Sequence, residues 1–384
     1  MTSQTILVLG GGVGGVVTAV ELRKRLSAGH RVVLIDREER HVSQPSLLWL
    51  MIGRRSARQI SRPLDRLRRR GIDVVRGDIE SIDAANRSVM VSGRELRGDA
   101  VVVSLGADLA PEMINGLVGA GHNFYTLTGA QSLFQAASRL REGRVAVLTA
   151  APAYKCPAAP YEAAMLLDDF FRRRVALGAV RIDLYAAEPA PMGVAGQHVS
   201  AAVVGMLEAK GIGYHAGHQV TSVSAEDRRL YFRNGTTADF DLLAYVPPHR
   251  APRVVFDSPL ASDQGWIAAD RNTLATTTPG IWAIGDVTTI PLKLCKPLPK
   301  AGVFAHHQAA VVARNLTHAI EGKGAPVSFD GHGECFIETG NMRAGFGSGN
   351  FYAEPFPDIA LHQPSVTRHL AKVLFEKQWL HRWF

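Results

Sequence analysis

Thr5-Ile6-Leu7-Val8-Leu9-Gly10-Gly11-Gly12-Val13-Gly14-Gly15 decides the fold. Residues 5–9 are an unbroken apolar run, the pattern of a parallel strand covered on both faces. It runs directly into Gly10-x-Gly12-x-x-Gly15, then into a helical stretch to about Leu26. The first glycine permits a tight turn, the second lets the backbone approach a pyrophosphate, and the third lets helix and strand pack closely. Residues 31–35 (Arg-Val-Val-Leu-Ile) read as the next strand, with Asp36 at its end. A carboxylate there accepts hydrogen bonds from a ribose hydroxyl, and the helix N-terminus favours the phosphate charge. Gly10, Gly12, Val13, Gly14, Gly15 and Asp36 are therefore candidate dinucleotide-binding residues.

The chain has 384 residues, enough for two or three domains of roughly 100–200 residues each. Charged residues make up 20% and hydrophobic residues 46%, which excludes a disordered protein. No run of about 20 apolar residues predicts a membrane-spanning helix. The N-terminus has neither a basic lead nor a small-residue cleavage site, so the expectation is a protein kept in the cytoplasm. The net charge is +8, and residues 54–70 alone hold eight arginines against Asp65. Such a run is either a solvated face or a contact for anionic lipid or ligand. No interleaved aromatics or DNA-binding motif accompany it, so nucleic acid is not expected. Three cysteines, Cys156, Cys295 and Cys335, are too few for a disulfide scaffold, and no Cys-x-x-Cys suggests a metal. They are either buried thiols or include one long-range redox pair.

A second signal selects the dinucleotide. Residues 276–286 end in Trp-Ala-Ile-Gly285-Asp286, followed by a helix predicted from about Gly302. This resembles the distal FAD motif of the two-dinucleotide-domain flavoprotein reductases. There the aspartate meets the ribityl chain, and the following helix points its N-terminus at the flavin. Residues 100–107, with Ser104 and Gly106, resemble the motif that closes the FAD domain. The predicted fold class is α/β, with two Rossmann-like dinucleotide-binding domains and a C-terminal membrane-associating region. The FAD domain spans 1–110 and 255–325 and is split by a second domain at 111–254. Residues 326–384 form the C-terminal region.

The inserted domain lacks its own glycine turn. Its first strand, 144–149, leads into Ala150-Ala151-Pro152-Ala153-Tyr154-Lys155-Cys156-Pro157, and no glycine occurs between Gly143 and Gly178. Prolines lack N–H donors, so this turn is poorly suited to cradling a pyrophosphate. NAD(P)H is not the expected donor.

The turn carries Lys155-Cys156-Pro157-x-Ala159-Pro160-Tyr161-Glu162, which resembles the signature of sulfide:quinone oxidoreductases and the flavoprotein of flavocytochrome c sulfide dehydrogenase. Gln44–Trp49, Gly71–Gly77 and Phe329–Cys335 also resemble family positions. The resemblance implies an enzyme that binds FAD, oxidises sulfide or a persulfide to polysulfide or sulfur, and passes electrons to a membrane quinone. It implies that Cys156 and Cys335 form a redox pair across the flavin, bridged as a disulfide or polysulfide. Lys155 and a helix N-terminus are expected to lower the Cys156 pKa. Glu162 resembles a family acid near the sulfide site, and Lys300 a family lysine near the flavin. Some relatives have a third cysteine before the inserted domain. Here His122–Leu127 has none, so FAD is expected to be non-covalent. Phe336, Phe346 and Phe351 are candidates for stacking a quinone ring. The tail, 364–384, reads as an interfacial helix capped by Ser365. Its apolar side is Val366, Leu370, Val373, Leu374, Trp379, Leu380, Trp383 and Phe384, and its cations are Lys372, Lys377 and Arg382. The expected place is the cytoplasmic side of the cell membrane, held peripherally, with a homodimer left open. Two other readings remain: a type II NADH:quinone oxidoreductase and a non-catalytic flavin redox sensor.

Overall fold

Two parallel five-stranded sheets organise the computed structural model, which describes residues 2–384. In the first sheet the spatial order is Ile281–Ala283, Ala100–Val103, Thr5–Leu9, Arg31–Asp36 and Asp73–Arg76. Thr5–Leu9 is central: Leu7 pairs with Val33 on one side and Val101 on the other. Ile6 to Leu9 are all buried, which is why the run reads as continuously apolar. Helix Val13–Arg25 packs against the long helix Gly302–Glu321 over one face of this sheet.

The second sheet has the order His122–Asn123, Leu242–Val246, Gly143–Thr149, Val180–Ala186 and Gly213–His215. Helix Ala159–Ala176 follows its central strand, as Val13–Arg25 follows Thr5–Leu9. Each sheet also carries a three-stranded antiparallel appendage, Ile79–Arg97 beside the first and Val220–Asp239 beside the second. A short antiparallel pair, Asp108–Leu109 with His249–Arg250, links the passages between the halves.

Beyond Glu321 the chain forms an antiparallel sheet, His332–Gly340, Arg343–Asn350 and Asp358–Ser365. It lies against helix Ala159–Ala176 and brings Cys335 towards the Cys156 turn. The final helix is Val366–Arg382, and the Ser365 hydroxyl accepts from the Arg368 N–H at its start. Among the described residues, no helix is long and apolar enough to cross a membrane.

Candidate functional site: a glycine turn, two thiols and a buried ion pair

The glycine turn has the geometry its sequence requires. Gly10 sits at φ +101°, and a Cβ on Gly15 would lie 1.7 Å from the Gly10 carbonyl oxygen. Beyond Gly12 the space is open to 4 Å, as it is beyond Gly106. Asp36 accepts the Gly11 N–H with one carboxylate oxygen and the Glu38 N–H with the other, at 2.7 Å. The Ser104 hydroxyl donates to the Leu9 and Gly10 carbonyls at 3.1 and 3.3 Å, holding the strand end. Gly14 approaches Ile284, which brings the Gly285-Asp286 segment to the same end of the sheet.

Asp286 supplies the fit test for FAD. Its Oδ1 is buried with no hydrogen-bond partner in the protein. Burial raises its pKa, opposed by Lys155 and Lys300. A buried acceptor without a donor is costly, and a ligand hydroxyl removes that cost. The Gly285 N–H is held by Gln308 Oε1 at 2.7 Å, on helix Gly302–Glu321. Gly285, Asp286, Thr288, Lys300, Phe304 and Gln308 line one cleft. An open glycine turn and an unsatisfied buried carboxylate oxygen therefore fit FAD.

Cys156 occupies the second turn in the left-handed backbone region, at φ +53°. A non-glycine residue pays about 1–2 kcal/mol for that conformation, so the surrounding contacts must enforce it. The Cys156 N–H donates to the Lys300 carbonyl at 2.7 Å, and its own carbonyl accepts from Ala159 N–H at 3.0 Å. The Tyr125 hydroxyl reaches the Lys155 and Cys156 carbonyls at 2.9 and 3.2 Å. Tyr125 gave no signal in the sequence because its role is purely spatial.

Cys335 enters from the C-terminal sheet. Both cysteines pack against the same core cluster, and each is a free thiol. The expected acidic thiol is corrected by the surroundings. Burial raises Cys156 well above the usual thiol range, and the neighbouring Cys335 and Glu162 raise it further. Burial pushes Cys335 up to about 12, with Glu162 adding to the effect. The cation that opposes both shifts is Lys372 on the last helix, not Lys155 beside Cys156.

Glu162, in the first turn of its helix, is buried in an ion pair. Its Oε1 accepts from Lys372 Nζ at 2.7 Å and from the Glu338 N–H at 2.8 Å. Glu338 in turn is bonded by His369 at 3.0 Å. Burial alone would lower Lys372, but the Glu162 and Glu338 carboxylates overcome it and raise the ammonium above its ordinary value. The ammonium also lies 5.3 Å from the Trp49 ring. Lys372 was expected on the solvent side of an interfacial helix; its side chain is 8% exposed and faces the core.

Lys300 donates to the Asp286 and Thr288 carbonyls at 2.6 and 3.0 Å and sits 3.5 Å over the Trp266 ring. Burial lowers it to about 8, opposed by Asp286.

In the second domain, the position of a nucleotide ribose acid is filled from within. Glu188, just past strand Val180–Ala186, accepts from Thr149 at 2.7 Å, Tyr161 at 2.5 Å and also Tyr154. Three hydroxyls thus donate to the Glu188 carboxylate.

Of the three aromatic candidates, the structure brings two together. Phe336 and Phe346 lie 4.9 Å apart across paired strands. Phe351 packs instead on Phe304, at 5.0 Å. On the last helix, Trp379, Leu380 and Trp383 are buried with the FAD-domain core. Val366, Leu370, Leu374 and Phe375 remain 42–54% exposed.

The family model for pyridine nucleotide-disulphide oxidoreductases matches residues 4–313, so the chain belongs to that family and is a flavin-dependent oxidoreductase that binds FAD. Among relatives, the mitochondrial sulfide:quinone oxidoreductase of Mus musculus is 24% identical, over 96% of this chain and 83% of that one. The sulfide-quinone reductase of Aquifex aeolicus is 27% identical, over 98% and 90% respectively. The crystal structure of the Aquifex aeolicus sulfide:quinone oxidoreductase superposes with a TM-score of 0.88 at 23% identity, covering 99% of this chain and 91% of that one.

Proposed function

We propose that the protein oxidises sulfide, or a persulfide, at the Cys156–Cys335 pair and delivers two electrons through non-covalent FAD to a membrane quinone. The observation that carries this is the second turn. A cysteine stands where a nucleotide cradle would be, and a second thiol from a distant sheet packs into the same region.

In the proposed reaction the resting pair is bridged by sulfur. Sulfide attacks one bridging sulfur, breaking an S–S bond and forming another. One cysteine then carries a persulfide and the other is released as a thiolate. FAD, when bound, would supply a two-electron acceptor for the pair and a relay to quinone. Restoration of the bridge releases two electrons, which reduce quinone with two protons, and a further sulfide removes the accumulated sulfur as polysulfide.

Lys372 favours the thiolate in an otherwise dry site, because it is the cation acting on both cysteines. Glu162 holds Lys372 in place and is the candidate acid–base group. Lys300 is the candidate cation for charge developing near the flavin. Gly10, Gly12, Val13, Gly14, Gly15 and Asp36 would hold the adenosine diphosphate half. Gly106, Gly285 and Asp286 would hold the flavin half. Phe336 and Phe346, adjacent to Cys335, are the proposed quinone contacts, whereas Phe351 lies in a separate aromatic group.

The proposed domains are 1–110 with 255–325 for FAD, 111–254 for the inserted unit and 326–384 for quinone and membrane. Peripheral attachment at the cytoplasmic face would use the exposed apolar residues of the last helix. Arg55, paired with Glu376 at 2.8 Å, and Arg70, bonded to the Arg382 carbonyl at 2.9 Å, place the arginine-rich segment beside that helix. A basic border next to an apolar strip suits an anionic bilayer. A sulfide-dependent quinone reduction assay tests the proposal. Loss of turnover is expected in both Cys156→Ser and Cys335→Ser, and full turnover in both would contradict it.

A further inference from the structure

We infer that Trp379, on the last helix, is a positioning residue for the FAD pyrophosphate turn and acts through His41. Gly11 lies inside the turn, between Gly10, which makes the tight bend, and Gly12, where the backbone can approach a pyrophosphate. Both of its backbone groups are fixed by side chains. Its N–H donates to Asp36, and its carbonyl accepts from His41 Nδ1 at 3.0 Å. His41 sits in the short strand Arg40–Val42 and is 3% exposed. Its other nitrogen, Nε2, accepts from the Trp379 indole N–H at 3.3 Å.

These two bonds determine the tautomer. A carbonyl only accepts and an indole N–H only donates, so His41 must carry its proton on Nδ1 and a lone pair on Nε2. A neutral ring fits the site, because burial lowers the His41 pKa. The donor order is then Trp379 to His41 to Gly11, joining residues 338 positions apart.

Ring packing holds the same group. The His41 ring lies 5.1 Å from Phe384, and Trp379 lies 5.5 Å from Trp383. His306 touches both tryptophans, at 5.4 and 5.5 Å. Trp383 thus shares the packing and the burial of Trp379, but only Trp379 bonds to His41. The last helix therefore does two things. It turns Lys372 towards the thiols, and it holds the dinucleotide turn through a different side chain about two turns later.

The inference rests on FAD binding, and its test reads cofactor affinity rather than turnover. FAD dissociation from purified holoenzyme is measured by recovery of free-flavin fluorescence. Trp379→Phe keeps an aromatic ring, though a smaller one, and loses the donor. His41→Asn keeps a donor for Gly11 and loses the acceptor for Trp379. Each is expected to weaken FAD about fivefold, the scale of one net hydrogen bond. The double variant should be no weaker than the worse single variant, because both break one path. Trp383→Phe should leave affinity within twofold of wild type, which a purely packing role for the cluster would not allow. Equal losses in Trp379→Phe and Trp383→Phe, full additivity in the double variant, or wild-type affinity in Trp379→Phe would each overturn the inference. Absence of FAD from the wild-type protein would instead count against the cofactor reading.

Discussion

The molecule contains two strand–turn–helix units of the same architecture. One starts at Thr5–Leu9 and the other at Gly143–Thr149. The first turn is glycine-rich and leaves open space at Gly12. The second is closed by Tyr154, Tyr161 and Glu188, and its Cys156 is held in a left-handed conformation by backbone partners. A turn that can receive a pyrophosphate and a turn that presents a thiol need opposite things. The first needs open space over its backbone, as at Gly12. The second needs one side chain fixed against its backbone preference. The same fold provides both, and the difference separates a cofactor site from a proposed reaction site.

Four changes sharpen or break that contrast. The largest effect is expected at the thiol turn. Cys156→Ser should slow sulfide-driven flavin reduction by about six orders of magnitude, the scale seen when a catalytic nucleophile is removed. FAD content should not change, since Cys156 is absent from the glycine turn. Stopped-flow absorbance together with flavin quantification checks both.

Glu162→Gln comes next. It leaves Lys372 charged and buried without its bonded carboxylate, with only Glu338 as a neighbouring negative charge, and breaking a buried pair costs about 3–5 kcal/mol. Denaturant unfolding should report that loss. Glu162→Gln with Lys372→Met should recover part of it, because the uncompensated charge is then gone.

Leu370→Glu with Leu374→Glu should weaken binding to anionic vesicles, read by co-sedimentation, by about two to four orders of magnitude, from about 1.5–3 kcal/mol for each of the two inserted leucines. Both residues are more than half exposed, so stability in solution should hold.

The smallest effect is a pH dependence. Lys300 is lowered to about 8 from an ordinary 10.5, so it loses its proton as pH rises through about 8. If its cation assists electron transfer, flavin reduction should fall about tenfold by one pH unit above that value. Lys300→Arg should remove the fall. The stability sign is opposite. Between about 8 and 10.5 the unfolded chain holds the extra proton, so this lysine makes the folded state gain stability as pH rises.

Much of the first unit was legible because it is written locally. Strand Thr5–Leu9, the glycine spacing, Asp36 and helix Gly302–Glu321 each follow from a short pattern. The absent second glycine turn was equally readable. What the sequence concealed were partners brought together by the C-terminal region. Lys372 reads as one more cation on an amphipathic helix. Only its spacing with His369, Glu376 and Trp379 hints at a buried polar stripe. Its burial depends on Glu162 and Glu338, which lie on two other elements. Glu188 and Tyr125 were hidden for the same reason. The expected acidity of Cys156 failed because the fold buries the sulfur beside Cys335 and Glu162, and the cation that opposes the rise is distant Lys372.

Anaerobic mixing of the FAD-loaded protein with sulfide, and separately with NADH, tests the contrast most directly. Sulfide should bleach the flavin absorbance in the wild-type protein and leave it unchanged in Cys156→Ser and Cys335→Ser, while NADH should have no effect in any of the three. Bleaching by NADH, or bleaching by sulfide in both serine variants, would contradict the account.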